Sequence, residues 1–175
     1  MHFLCSFSKP FKLNFMRATL AIMLPVLTTI QVLGASHLPN DYIAKLKQEK
    51  EKEQSIDYKI NYCINYYSNY FKIPKKIYYK IAKLESNFDP FAINHNSDGT
   101  KDVGLMQVNT VLAKQCGIKN HKLLFDVCTN IYVASVRLNY CKQKYGIGLE
   151  MVGCYHSESK DKKQKYIKKY LALKN

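Results

Sequence analysis

Residues 84–109 read LESNFDPFAINHNSDGTKDVGLMQVN, and the whole chain is best read outward from this stretch. It opens on the end of an amphipathic helix. Ile77, Ile81, Leu84 and Phe88 recur at three- and four-residue steps, which is the stripe of a helix buried on one side. Pro74 opens that helix, where a missing N–H costs nothing, and Asp89-Pro90 ends it. Glu85 falls in the last turn, beside the buried Leu84. A carboxyl group pressed against an apolar wall has its charged form desolvated, which raises its pKa. A carboxyl that stays protonated near neutrality can act as a general acid on a glycosidic oxygen. Taken alone, one Glu at a helix end reads as a partly exposed helix-end residue. Residues 91–109 lose the helical period, and Asp98-Gly99 is a strong turn signal, so a small β-hairpin is predicted there.

The flanking segments are helical. Upstream, Ile60, Cys63, Ile64, Tyr67 and Phe71 form one apolar stripe. Downstream, a short helix runs over Thr110–Gln115 and closes at Gly117. Thr129 is the predicted N-cap of a long helix that buries Ile131, Ala134, Leu138 and Cys141 and ends at Gly146. Two more helices are predicted over residues 148–157 and 163–173. The fold class expected is mainly α with a small β-hairpin.

Two strings within this frame carry a family likeness. Leu84-Glu85-Ser86-Asn87-Phe88 and Gly104-Leu105-Met106-Gln107-Val108-Asn109 resemble the two central motifs of the soluble lytic transglycosylases, which have a lysozyme-like fold. Asn94, Asn96 and Asp102 before the second motif, and Phe125–Ile131 with Val127 in a usual Pro position, resemble the small exported members that accompany type IV and type III secretion systems. The third family motif is weak here: Gly153-Cys154-Tyr155-His156-Ser157-Glu158 keeps the aromatic but carries His156 for Asn and Glu158 for Gly. Tyr166 and the residues after it resemble the Tyr-containing final helix of the family. Tyr155 and Tyr166 read equally as core aromatics and as substrate contacts, since buried Tyr is common.

The resemblance implies a lysozyme-like (α+β) catalytic domain over residues 57–175 that cleaves the β-1,4 bond between N-acetylmuramic acid and N-acetylglucosamine in peptidoglycan. Glu85 is then the catalytic residue. Ser86, Met106, Gln107, Asn109 and Tyr155 form the substrate-binding set, with Ser86 orienting Glu85 and Met106 contributing wall. The Tyr155 hydroxyl is expected near Glu85. Transglycosylases of the family use the one Glu as acid and then as base, closing a 1,6-anhydro ring without water. Asp102 stands 17 residues after Glu85, an interval that also resembles the animal-type lysozymes, where the matching Asp is a second carboxylate. Asp102 is therefore either that second carboxylate or a residue that fixes the loop through backbone N–H groups. The Gly-Leu-Met-Gln string favours the transglycosylase, and Lys80 stands where an animal lysozyme would carry a Cys.

The remaining sequence bears on compartment and partners. Residues 1–36 read as a signal peptide, with Arg17, an apolar run over 18–34 and the small Ala35-Ser36 exit; Met16 offers an alternative start. Residues 37–56 are charge-alternating and read as a solvated linker or helix. Export to the periplasm places Cys63, Cys116, Cys128, Cys141 and Cys154 in an oxidising compartment, where an odd number predicts two disulfides and one spare thiol, or an intermolecular link. No cysteine pair has zinc spacing with His, so neither metal nor cofactor is expected. His95 and His156 are left as polar loop residues.

The 175 residues carry 27 Lys+Arg against 13 Asp+Glu, a net charge of +14, with 47% hydrophobic residues, which excludes a disordered polyelectrolyte. Such a charge is a common mark of nucleic-acid binders. Only Arg17 and Arg137 are Arg, however, and the leader argues for a partner outside the cytoplasm. The expected partners are peptidoglycan glycan strands and envelope components of a secretion apparatus, with no nucleic acid. Lys160, Lys162, Lys163 and Lys165 read as a solvated helix face or as a surface for the anionic wall. A non-catalytic assembly factor that keeps the fold is the third reading, and the altered third motif is its support.

Overall fold

The computed structural model describes residues 39–173. The leader and the alternative start at Met16 lie outside the described residues. Helix α1 (Asn40–Gln54) belongs to a unit separate from the body that begins at Ser55. It is polar along its length, as a solvated helix should be.

The body is a set of helices with one small sheet. Helix α2 (Ile56–Phe71) starts at Ser55, whose hydroxyl oxygen accepts from the Tyr58 N–H at 3.1 Å. It buries Ile60, Cys63 and Ile64 against α5 (Val127–Tyr145), and Cys63–Cys128 ties the two helices together. Helix α3 (Lys75–Ser86) follows Pro74, which sits one position outside the helix as its N-cap. The helix stops at Ser86, earlier than Asp89-Pro90 predicts. Asn87 adopts a left-handed conformation (φ 55°), and the N–H groups of Asn87 and Phe88 bond back to Lys83 and Ala82 carbonyls. Pro90 is a breaker, but Asn87 ends the helix before the chain reaches it.

The hairpin is present with a third strand added. Strands β1 (Ile93–His95) and β2 (Lys101–Val103) pair antiparallel around Gly99 (φ 82°), and β3 (Val108–Asn109) pairs antiparallel on the other edge of β2. Helix α4 (Thr110–Gln115) is N-capped by Asn109, and a 3-10 turn covers His121–Phe125. Helix α5 begins three residues earlier than Thr129 predicts. Its N-cap is Asp126, whose Oδ1 accepts from both the N–H and the hydroxyl of Thr129, at 2.9 and 2.8 Å.

Helix α6 (Leu149–His156) and helix α7 (Lys160–Ala172) complete the body. Cys141–Cys154 fastens α6 to α5. Gly153 lets α7 approach: a Cβ there would stand 2.3 Å from Lys163 Cγ and 2.9 Å from Ile167 Cδ1. α7 in turn packs on α3, so the last helix lies beside the helix that carries Glu85.

Two expectations need correction. Cys116 is disulfide-bonded too, and no described cysteine is a free thiol, so the spare thiol is absent among the described residues. Lys163 is not part of a solvated face: it is buried, its Nζ lies 2.9 Å from Glu150 Oε2, and it sits 4.2 Å from the centre of the Tyr145 ring. Lys160, Lys162 and Lys165 are exposed, as a polar helix face requires. Among the described residues no helix is long and apolar enough to cross a membrane.

Candidate active site

Glu85 sits in the last turn of α3, with its carboxyl turned into the body. Burial is the largest influence on it and raises its pKa from 4.5 to about 7. The Tyr166 hydroxyl, from α7, donates to Glu85 Oε1 at 2.5 Å and favours the charged form, as does the Lys169 ammonium; the Asp102 charge opposes it. Desolvation wins over the hydrogen bond. The carboxyl is thus divided between acid and base forms near neutrality, the state a group needs if it is to give and then take a proton.

The Gly104–Asn109 loop is held beside α3 by groups that never leave the protein. Ser86 Oγ donates to the Leu105 carbonyl at 2.7 Å, joining the end of α3 to the loop. Asn130, fully buried in α5, takes the loop from below: its Oδ1 accepts from the Met106 N–H at 2.8 Å, and its Nδ2 donates to the Val103 and Leu124 carbonyls, both at 2.8 Å. Gly104 is required by this clasp. Its φ is 78°, and a Cβ would fall 2.4 Å from Asn130 Nδ2 and 2.5 Å from the Leu124 oxygen. Non-glycine residues at positive φ also cluster here, with Asn87 and Phe88 next to Glu85, and Gln107 (φ 47°) in the loop. Strained backbone of this kind persists where the surroundings over-determine it, commonly at functional sites.

Each residue singled out from sequence has a definite place. Met106 is fully buried, so its side chain is wall beneath the loop and not a group that can touch glycan; its carbonyl accepts from the Tyr155 hydroxyl at 2.6 Å. Tyr155 is buried at the end of α6, and the nearby charge of Glu85 adds to the burial that suppresses its phenolate. Gln107 Nε2 donates to the Ala92 and Gly104 carbonyls at 3.2 and 3.0 Å, closing the loop on itself. Asn109 caps α4 through Oδ1 and donates from Nδ2 to Asp102 Oδ1 at 2.8 Å. Asn96 Nδ2 donates to Asp102 Oδ2 at 3.0 Å. Both oxygens of Asp102 are therefore engaged by side-chain amides across the sheet, where backbone N–H groups were expected. Ser86 acts on the loop and not directly on the Glu85 carboxyl.

The partner of Glu85 itself, Tyr166, lay outside the predicted set of site residues. The sequence carried one signal for it, the Tyr in the final helix, but nothing local shows that a residue 81 positions away donates to Glu85. The altered third motif also has an account. Arg137 on α5 donates from Nη2 to the Cys154 carbonyl at 2.7 Å at the end of α6 and lies 3.6 Å from Glu158. Glu158 further receives the Tyr140 hydroxyl at 3.0 Å and pairs with Lys144 at 2.6 Å. The loop after α6 is thereby pinned through Glu158. His156 is the last residue of α6 and not a loop residue; it is exposed, and its ring stacks on that of Tyr166, 4.6 Å between centres and 4° between planes.

Comparison with known proteins bears on this arrangement. The family described as "Transglycosylase SLT domain" matches residues 62–174. The chain is 37% identical over 101 residues to "Protein IpgF" of Shigella sonnei, covering 56% of this chain and 66% of that protein. It is also 37% identical over 101 residues to "Invasion protein IagB" of Salmonella typhi, covering 56% of this chain and 63% of that protein. The matched stretch thus spans just under two thirds of the length of these relatives.

Proposed function

We propose, from the premise that this chain belongs to the transglycosylase SLT domain family of lytic transglycosylases, that it cuts the MurNAc-β-1,4-GlcNAc bond of peptidoglycan with closure of a 1,6-anhydro ring. Glu85 is the observation that carries this reading. A carboxyl buried enough to hold its proton near pH 7, with a hydroxyl donor to steady its anion, suits one group that acts twice. In the first step Glu85 gives its proton to the departing glycosidic oxygen as the bond to C1 of the muramic residue breaks. In the second the Glu85 carboxylate takes the proton of the muramic C6 hydroxyl as that oxygen bonds to C1. The proton returns to Glu85, and no water enters the products.

Gln107 and Asn109 are half-buried polar side chains of the loop held beside α3, and Tyr155 supports that loop through the Met106 carbonyl; the proposal assigns glycan contact to Gln107 and Asn109 on the family resemblance. The alternative is the hydrolytic reading, with Asp102 as a second carboxylate; its oxygens accept from Asn96 and Asn109, and the Gly-Leu-Met-Gln string is what favours the transglycosylase over it. An Asp held in this way suits loop fixing. Export to the periplasm and clearing of the wall for a secretion apparatus complete the proposal; the leader-like sequence and the secretion-associated resemblance support them.

Mass analysis of fragments released from purified wall tests the reaction. Products one water lighter than those of a muramidase are expected, and Glu85→Gln should release none. Ordinary reducing ends would mean hydrolysis. Binding of wall without release of fragments by the unaltered chain would mean an assembly protein that keeps the fold.

A further inference from the structure

We propose that His156 is a positioning residue for Glu85: its imidazole lies flat on the Tyr166 ring and thereby fixes the hydroxyl that donates to the Glu85 carboxyl. The inference rests on the reading of Glu85 as the acid and names how the fold governs it.

Three elements meet in this arrangement. Glu85 comes from α3, Tyr166 from α7 and His156 from the last position of α6. The Tyr166 ring is itself buried, and its hydroxyl reaches Glu85 Oε1 at 2.5 Å. A phenol can swing about its side-chain bonds unless its faces are covered, and the hydrogen bond to Glu85 holds only the tip. The near-parallel contact with His156, 4.6 Å between ring centres and 4° between planes, sets an offset ring against one face. Planar rings stacked in this way keep their mutual orientation better than an aliphatic neighbour would.

His156 is in turn held from behind. The carbonyl oxygens of Cys154 and Tyr155, the two residues before it, accept from Arg137, and the Ser157 N–H bonds to the Gly153 carbonyl. The end of α6 is therefore anchored on α5, which holds a partly exposed ring as a fixed surface.

Burial against its neighbours disfavours the imidazolium form of His156, and the ammonium groups of Lys169 and Lys162 on α7 add to that; Asp102 on β2 acts in the opposite sense. Of these groups, Asp102 and Lys169 also act on Glu85.

The effect is read directly on Glu85, without recourse to activity. The side-chain carboxyl carbon of Glu85, assigned by its absence from Glu85→Gln, is titrated by carbon-13 NMR. With His156→Ala the ring loosens, the hydroxyl spends less time on the carboxylate, and the Glu85 midpoint is expected to rise by about half a pH unit, roughly a threefold shift in the protonation constant. His156→Phe keeps a flat ring on Tyr166 and should leave the midpoint where it was. In a Tyr166→Phe background the hydroxyl is gone, so His156→Ala should move the midpoint no further. His156→Asn gives the same comparison if the alanine chain does not fold.

An unchanged or lowered midpoint in His156→Ala, an equal shift in the Tyr166→Phe background, or a shift in His156→Phe as large as that in His156→Ala would each overturn the proposal. Failure of the functional reading has a separate signature. A wild-type chain that releases no wall fragments overturns the enzyme assignment while the titration still reports on His156.

Discussion

Glu85→Gln should make the protein more stable at neutral pH, even as it ends any wall cleavage. The folded chain holds the Glu85 carboxyl at a pKa of about 7, whereas an unfolded chain would titrate it near 4.5. Between those values the folded state binds more protons than the unfolded one, so stability falls as pH rises through the interval and levels off above it. The gap of about 2.5 units, at about 1.4 kcal/mol per unit, corresponds to roughly 3 kcal/mol lost between pH 4 and pH 8. Glutamine keeps an acceptor for the Tyr166 hydroxyl and carries no charge to desolvate. The variant should therefore escape the loss. Urea unfolding of both chains, with the disulfides intact, measures this at pH 4 and at pH 8. Subtracting the wild-type value from that of the variant at each pH removes the titration of every other group. The difference should grow by about 3 kcal/mol from pH 4 to pH 8, which for a body of this size is roughly 10 °C in melting temperature. A difference that is the same at both pH values would refute the argument, since it would mean that Glu85 is not held protonated by the fold.

Other changes have expected outcomes of their own. Tyr166→Phe removes a charge-assisted hydrogen bond worth about 1.5–3 kcal/mol, so the Glu85 midpoint should rise by about 1–2 units; the alkaline limb of the wall-cleavage profile should move up with it, and a limb that stays put would show that the bond is not made in solution. Asn130→Ala leaves the Met106 N–H and the Val103 and Leu124 carbonyls without their partner, and denaturant unfolding should show a loss of about 3 kcal/mol or more. Gly104→Ala forces a Cβ into Asn130 and the Leu124 oxygen, and fragment release should fall with stability; an alanine chain as stable as the wild type would contradict the tight approach drawn here. Replacing both Cys63 and Cys128 by Ser frees a loop of 65 residues and should cost about 4 kcal/mol by the chain-entropy estimate, measured by thermal or urea unfolding.

Much of the fold was legible along the chain. The stripes of α2, α3 and α5 follow from residues spaced by one helical turn, and a turn at Asp98-Gly99 follows from the φ that only Gly takes without strain. Helix ends were less legible. Pro90 and Thr129 are good signals in isolation, yet Asn87 and Asp126 set the boundaries because each satisfies backbone groups a few residues away. The third strand escaped notice since two residues carry no period.

For the site, the sequence by itself singled out the candidate carboxyl: Glu85 follows an apolar residue in the last turn of an amphipathic helix, and its flanking motifs are those of the transglycosylase SLT family to which the chain belongs. It left Asp102 open between a second carboxylate and a loop-fixing residue, and its bonds to Asn96 and Asn109 are visible only in the folded chain. Only the tertiary structure decided how Glu85 is held. Tyr166, His156 and Asn130 come from helices far along the chain, and their roles depend on distances of a few ångströms between α3, α5, α6 and α7. Hydrogen bonds and ring stacking act over such distances irrespective of separation in sequence, so no local pattern encodes them. The pKa of Glu85 is raised in the same place, where burial outweighs the hydroxyl and the ammonium group that favour its ionised form.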